Sequence, residues 1–435
     1  MNINRWLGDR RAAFSITNDA DGETYDRLAA IYYGSNDPES HLYLQQGIIA
    51  NNIRISHTTF GENHPLLKDI HDDIIQYGNS IGYHTFANLE DPPGTNAQAL
   101  LHDMQPYNIR LWIDHSLPNN PEGFGWNGLQ EGSPNYIGDV INQTNIKYAW
   151  MADTPSTDPF NAFNDPWRLP HRLYEISSLQ KPVWFFGRTR TQAWEYLSGN
   201  ITLDMKNRVT PENLDQLLLE RGLNICYTHF CFSNWTGVNS FYIVEDDGEH
   251  RVRPEVEDML RMLNHYQLHR GLWIDTVENI FDRMLAIEEL KVVRLEYPSC
   301  GKCNVTLING SDYPLDDIYL QSMGQEIRIP LLDAGSEYSF SLDIHSNTAP
   351  YISRHNFCAY YSGSEIYIKD KLNPGLDPAR VSIYNIKGQK VREYESRYKQ
   401  AVLIVPGQNL ASGEYLVRLN FSGTGSYIMK LSVVK

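Results

Sequence analysis

Up to about Leu290, short apolar runs alternate with amphipathic stretches. Runs of strand length lie at Ala12 to Thr17, Ser80 to Thr85, Ile109 to Ile113, Lys147 to Met151, Pro182 to Phe186 and Leu223 to Tyr227. Between them the period changes. Leu66 to Tyr77 carries Leu66, Leu67, Ile70, Ile74 and Ile75 at helical spacing, with polar residues opposite. Pro211 to Arg221 begins with a capping Thr210 and a proline at the first helical position, where its missing N–H costs nothing. Pro254 to Tyr266 and Thr276 to Glu288 read as two closing helices. Strand and helix in alternation predict an α/β fold with a parallel sheet, open or closed into a barrel.

After about Lys291 the helical period disappears. Short strands at Val292 to Leu295, Asn304 to Ile308, Ile318 to Leu320, Ile327 to Ile329 and Tyr338 to Leu342 are separated by turn pairs such as Asn309-Gly310 and Ala334-Gly335. This predicts an all-β, sandwich-like module. Asn373 to Pro378 reads as a linker, followed by another compact β segment. The expected divisions are 10–290, a barrel; 291–372, a β-sandwich module; and 373–435, a C-terminal β module.

Composition narrows the function. A length of 435 residues suits two or three domains. The formal net charge of -16 argues against a nucleic-acid partner, which needs a basic footprint. No apolar run approaches the ~18 residues of a transmembrane segment. Five cysteines are too few for a disulfide scaffold. Cys300 and Cys303 form a single C-x-x-C, expected as a local disulfide or inert thiols, since a zinc ribbon needs a second pair. Met1 to Arg11 has no apolar stretch and shows no signal peptide.

Candidate chemistry collects just after the predicted strands, where parallel α/β barrels place their active sites. Asn18-Asp19-Ala20-Asp21-Gly22 follows the first strand, His84 follows Tyr83, Asp114-His115 follows Ile113, and Thr228-His229 follows Tyr227. Imidazole and carboxylate suit a zinc-type ion, and a spare acid and base suit hydrolysis. His57 and His64 flank a stretch, Thr58 to Gly61, that reads as a loop over the barrel mouth, with both histidines as surface polarity. Trp112, Trp126, Trp150, Trp167 and Trp194 fall in or near barrel loops, as core residues or as walls of a sugar cleft.

Phe14 to Gly22 resembles the T-F-D-D-G motif of polysaccharide deacetylases with a NodB-homology domain, carbohydrate esterase family four. Asn79 to Asn88 resembles that family's E-I-G-x-H-S/T-x-x-H motif, and Ile225 to His229 looks like its late L-x-H motif. The resemblance spans about Ala12 to Leu290 and implies a distorted (β/α) barrel. It also implies one divalent metal ion, expected to be zinc, acting on a polysaccharide substrate. It makes Asp19 the general base, Asp21 and His84 metal ligands, and His229 the general acid. Without a gap the metal aspartate aligns with Ala20, so Asp21 fits only with one inserted residue. Asn88 stands where the family has its second metal histidine, and His115, at the neighbouring strand end, is placed to supply that imidazole. For the family's arginine motif, Arg110 and Arg168 are the candidates.

Val381 to Val391, Leu410 to Leu419 and Lys430 to Lys435 together resemble the C-terminal sorting domain of type IX secretion cargo. That resemblance implies the secretion machinery as a partner and a secreted or cell-surface location, and it implies that a leader precedes the present start. The leading expectation is a secreted metal-dependent hydrolase removing acetyl groups from a polysaccharide. Ala20 and Asn88 favour a second class, a barrel that only binds glycan. A third, a glycosidase using Asp19 and Asp114, needs carboxylates ~5–5.5 or ~6.5–9.5 Å apart and leaves the histidines unexplained.

Overall fold

The computed structural model describes residues 2–19, 21–84, 104–115, 123–125, 127–151, 163–164, 173–176, 178–189, 205–231, 240–299, 302–322, 325–343, 357–362, 365–370, 378–385, 387–395, 402–406, 410–421 and 425–433. The chain divides into two compact units, Asn4–Leu285 and Met1–Ile3 with Ala286–Lys435.

The first unit is an α/β barrel. Its main parallel strands are β1 (Ala12–Asn18), β2 (Ser56–Thr59), β3 (Ser80–Tyr83), β4 (Leu111–Ile113), β5 (Tyr148–Trp150), β6 (Trp184–Phe185), β7 (Arg188–Thr189), β8 (Leu223–Thr228) and β9 (Leu272–Ile274), and the two-residue Phe163–Asn164 also runs parallel to β7. Pairing runs β8-β1-β2-β3-β4-β5-β6, each neighbour parallel. Only Phe186 and Gly187 separate β6 from β7, and β7 pairs with β8. A single stretch, Trp184 to Thr189, therefore joins β5 to β8 and closes the sheet. The closure is distorted because β1 is shared: β9 pairs with Ala12 to Phe14, while β2 meets only Thr17 and Asn18.

Alternation along β1 separates two cores. Ala12, Phe14 and Ile16 pack outward with helix residues such as Leu28, Ile31, Leu67, Leu214, Leu217 and Leu260. Ala13 turns inward with Leu111, Ile113, Leu223 and Ile225 and meets Val277, Ile280 and Phe281 of the helix Val277–Glu288. Ser15, Thr17 and Asp19 continue this inward row, which carries Asp19 to the strand's C-terminal end. Gly82 in β3 keeps the wall thin, since a Cβ there would lie 3.0 Å from Thr58 Cγ2 and 3.1 Å from Leu111.

The expected helices are present with shifted ends. Leu66 to Tyr77 becomes an α-helix at His64–Ile74 running into a short 3-10 turn, and Leu66 is exposed rather than core. Thr210 accepts a hydrogen bond from Asn213 N–H and Pro211 opens the helix Pro211–Leu219. The stretch around His57 departs from the sequence reading. Ser56–Thr59 is a fully buried barrel strand, and His57 and His64 are buried, not surface residues. Its polar side chains find partners inside. Ser56 Oγ donates to Glu278 Oε2 (2.7 Å), and Thr58 Oγ1 donates to the Asn18 carbonyl (2.9 Å).

The second unit is built of antiparallel sheets. Leu290–Ser299, Lys302–Asn309 and Glu337–Asp343 form one sheet, and Asn2–Ile3, Leu315–Ser322 and Gln325–Leu332 another. Val305, Leu307, Ile318, Leu320, Ile329 and Leu342 fill their common core, as in a sandwich. Further along, Pro378–Asn385 is flanked by Lys390–Glu395 and by Gly413–Phe421, which pairs with Gly425–Val433. Phe357–Ser362 and Glu365–Asp370 pair onward to Val402–Pro406, and Ile366 and Ile368 share a core with Val381, Val417 and Leu431. These two strands precede the expected linker at Asn373 to Pro378, yet Ile366 and Ile368 pack with residues on its far side.

Candidate metal centre

The C-terminal ends of β1, β3, β4 and β8 bring Asp21, His84, His115 and His229 together. Asp21 is the hub. Its Oδ1 lies 3.1 Å from His115 Nε2, and its Oδ2 lies 2.6 Å from His229 Nε2 and 4.0 Å from His84 Nε2. Ligand atoms of Asp21, His84 and His115 all lie within 4.8 Å of one another, a spacing that one ion can bridge. Burial alone would raise the pKa of Asp21. The hydrogen bonds from His115 and His229, with the charges of His229 and His84, outweigh it and hold the carboxylate well below its usual range. Asp21 is presented by a turn that Gly22 completes at φ +73, a conformation that favours glycine.

His84 shows whether these residues suit an ion. Its backbone N–H donates to the Thr59 carbonyl (2.9 Å), and its Nδ1 lies 3.1 Å from the Ile113 carbonyl. A carbonyl only accepts, so Nδ1 carries the proton and Nε2 keeps a lone pair. That Nε2 is buried and has no hydrogen-bond partner among the described residues. Burial pushes the ring's pKa down to about 4, against the opposing pull of Asp19 and Asp21. A neutral imidazole with an orphaned lone pair beside a carboxylate fits a borderline divalent cation of the zinc type. Phe60 packs against both rings, with centroids 5.0 Å from His84 and 5.2 Å from His115.

Asp19 stands apart from this triad, held by Arg188. Arg188 Nη1 donates to Oδ1 (2.7 Å) and Nη2 to Oδ2 (3.1 Å), while Nη1 also reaches Thr17 Oγ1 (3.0 Å). The guanidinium is fully buried, 3.8 Å from the Trp150 ring centroid and 4.5 Å from that of Tyr227. Sequence reasoning missed Arg188. Arg110 instead forms an ion pair with Asp282, and Arg168 lies outside the described residues. The signal was available: Arg188 stands just past the run Pro182 to Phe186, as the other site residues stand just past theirs.

Other candidates have other tasks. Asp114 accepts hydrogen bonds from Trp112 Nε1 (2.6 Å), Phe124 N–H (2.7 Å) and Gly125 N–H (2.8 Å), so it tethers a loop, which removes it as a glycosidase partner for Asp19. Trp112 is core, stacked on Phe124. Ala20, Asn88, Trp126, Trp167, Trp194 and Cys300 lie outside the described residues.

No family model and no curated relative matches this chain. Solved structures similar to it include Puue allantoinase, at 12% identity over 65% of this chain and 93% of that one, with a TM-score of 0.37. A protein described as "probable Polysaccharide deacetylase" from Pseudomonas aeruginosa PAO1 is similar at 14% identity over 65% of this chain and 94% of that one, also with a TM-score of 0.37. The barrel rests on the strand pairing described above, and the chemistry rests on the residues at its mouth.

Proposed function

We propose that the barrel is a divalent-metal-dependent hydrolase that removes acetyl groups from a polysaccharide. The observation that carries this reading is the Asp21, His84 and His115 cluster, in which the buried His84 Nε2 offers an unshared lone pair to the centre. Asp21, His84 and His115 would hold the ion, His115 replacing the imidazole that Asn88 cannot give. A bound divalent ion, zinc in this reading, supplies Lewis-acid polarisation of the acyl carbonyl and of water.

The remaining steps belong to the protein. Arg188 grips both oxygens of Asp19, and Asp19 N–H donates to the Thr228 carbonyl (2.8 Å), so the carboxylate has one fixed orientation. From there Asp19 accepts a proton from the attacking water. His229 faces the centre from β8, with Nε2 near Asp21 Oδ2 and 3.2 Å from the Tyr227 hydroxyl. It gives a proton to the departing amine or alcohol. The resemblance of the last segment to a type IX sorting domain supports delivery to the cell surface or beyond, where acetylated glycans are met. Among the described residues no helix is long and apolar enough to cross a membrane.

The test is acetate release from acetylated glycans by protein stripped with a chelator and then reloaded with zinc. Activity that disappears on stripping and returns on reloading supports the hydrolase. Glycan binding without acetate release in either state supports the binding-only barrel.

A further inference from the structure

We propose that Asn18 is the positioning residue that holds Asp21 and His229 face to face, an inference that rests on the hydrolase reading above. Asn18 is the last residue of β1 and is completely buried. By alternation it shares a face with Ala12, Phe14 and Ile16, whose side chains all enter the apolar shell between barrel and helices. A primary amide on that face carries a desolvation cost unless both of its ends are paired.

Both are paired, and each partner lies beside a site residue. Oδ1 accepts the N–H of Phe230 (2.7 Å), the residue after His229. Nδ2 donates to Glu23 Oε1 (2.9 Å), two residues past Asp21, and to His57 Nδ1 (3.1 Å). An amide Nδ2 only donates, so His57 Nδ1, which the Tyr32 hydroxyl also approaches (3.1 Å), is the acceptor, and His57 turns Nε2 towards Glu23 Oε1 (3.2 Å). The amide orientation follows from its partners: an N–H must meet Oδ1, and a carboxylate and an imidazole lone pair must meet Nδ2. Asn18 therefore ties down the far side of the turn that carries Asp19 and Asp21, and ties the same anchor to the loop that carries His229. The 2.6 Å contact between Asp21 and His229 is set between these two fixed ends.

The experiment compares Asn18→Asp with Asn18→Asp/Glu23→Gln in the full chain. The single change keeps the acceptor for Phe230 N–H but sets a carboxylate against Glu23. The double change restores one donor and one acceptor with their places exchanged. Asn18→Asp is expected to weaken zinc binding and to lower kcat for acetate release, each by about 10–100-fold, the usual effect of disturbing a partner behind a metal ligand. The double variant is expected to recover both. A crystal structure of the single variant should show Asp21 and His229 moved out of hydrogen-bond distance.

A folded Asn18→Asp protein with wild-type zinc affinity and kcat overturns the proposal, as does a folded double variant no better than the single. If Asn18→Asp does not fold, the double variant decides alone: wild-type zinc affinity supports the clasp and its loss overturns it. If the wild type neither binds zinc nor releases acetate, the hydrolase reading fails. The crystal structures then still decide the clasp, which is supported if the Asp21–His229 contact opens in Asn18→Asp and overturned if it persists.

Discussion

At His84 the two ring nitrogens have separate tasks: Nδ1 faces the Ile113 carbonyl, and Nε2 keeps its lone pair in a buried site. This arrangement makes stability depend on pH. The folded ring titrates at about 4, against an ordinary value of 6.5. As pH falls through the ordinary value, the unfolded chain takes up a proton that the folded chain refuses, so the unfolded state gains. His84 therefore contributes fully to stability above about pH 6.5, and roughly 3 kcal/mol of that is lost on the way down to about pH 4. Urea denaturation of the metal-free protein between pH 7.5 and 4.5 should show this slope, and His84→Gln should flatten it. Asp19 makes a different prediction. Asp19→Asn leaves Arg188 in place but removes the proton acceptor, so acetate release should fall by at least about 10²–10⁴-fold while bound zinc is retained. Paired assays of acetate and zinc on the same preparation check this, and loss of both together would place Asp19 among the ligands.

Among the elements, the stretch from β6 to β7 links fold to chemistry. It closes the barrel between β5 and β8, and it delivers Arg188 to Asp19 between the rings of Trp150 and Tyr227. Arg188→Met would leave the nearly buried Asp19 carboxylate without its cation, a change expected to cost about 3–5 kcal/mol in chemical denaturation. Adding Asp19→Asn should recover much of that loss, because the stranded charge is gone. The elements also show what the sequence could reveal. Strands β1, β3, β4 and β8 were legible because their apolar runs end abruptly at polar residues, several of which meet at the mouth, and β5 was legible from its apolar run alone. β2 was not legible. Ser-His-Thr-Thr has no apolar residue, and its burial depends on partners such as Glu278 and Asn18 that lie far away in the chain. β9 is no shorter than β4 and β5, but its apolar triplet Leu272–Ile274 sits between two helical patterns and runs almost directly into the one that begins at Thr276. Arg188 could be placed just past the run Pro182 to Phe186, but its role could not be read, because its partners Asp19 and Thr17 become neighbours only when the sheet closes.

For the whole molecule, both apolar clusters of the barrel are drawn from residues between Trp6 and Leu285. The β-rich unit has its own cores, around Val305, Ile318 and Ile329 and around Val381, Val417 and Leu431. A chain ending at Glu289, which keeps the helix Val277–Glu288 whole, should therefore fold and bind zinc like the full chain. Circular dichroism melting and zinc titration check this; an aggregated or molten product would show that the barrel depends on the β-rich unit. The central claim is that Asp21, His84 and His115 hold one divalent ion, with His115 supplying its second imidazole. Metal analysis of the purified wild type, His84→Ala and His115→Ala proteins, each reloaded with zinc and dialysed, tests it most directly. The account predicts one equivalent of zinc per chain in the wild type and loss of tightly bound zinc in both variants. A wild type that retains no zinc, or a His115→Ala protein that holds a full equivalent as tightly as the wild type, would contradict it.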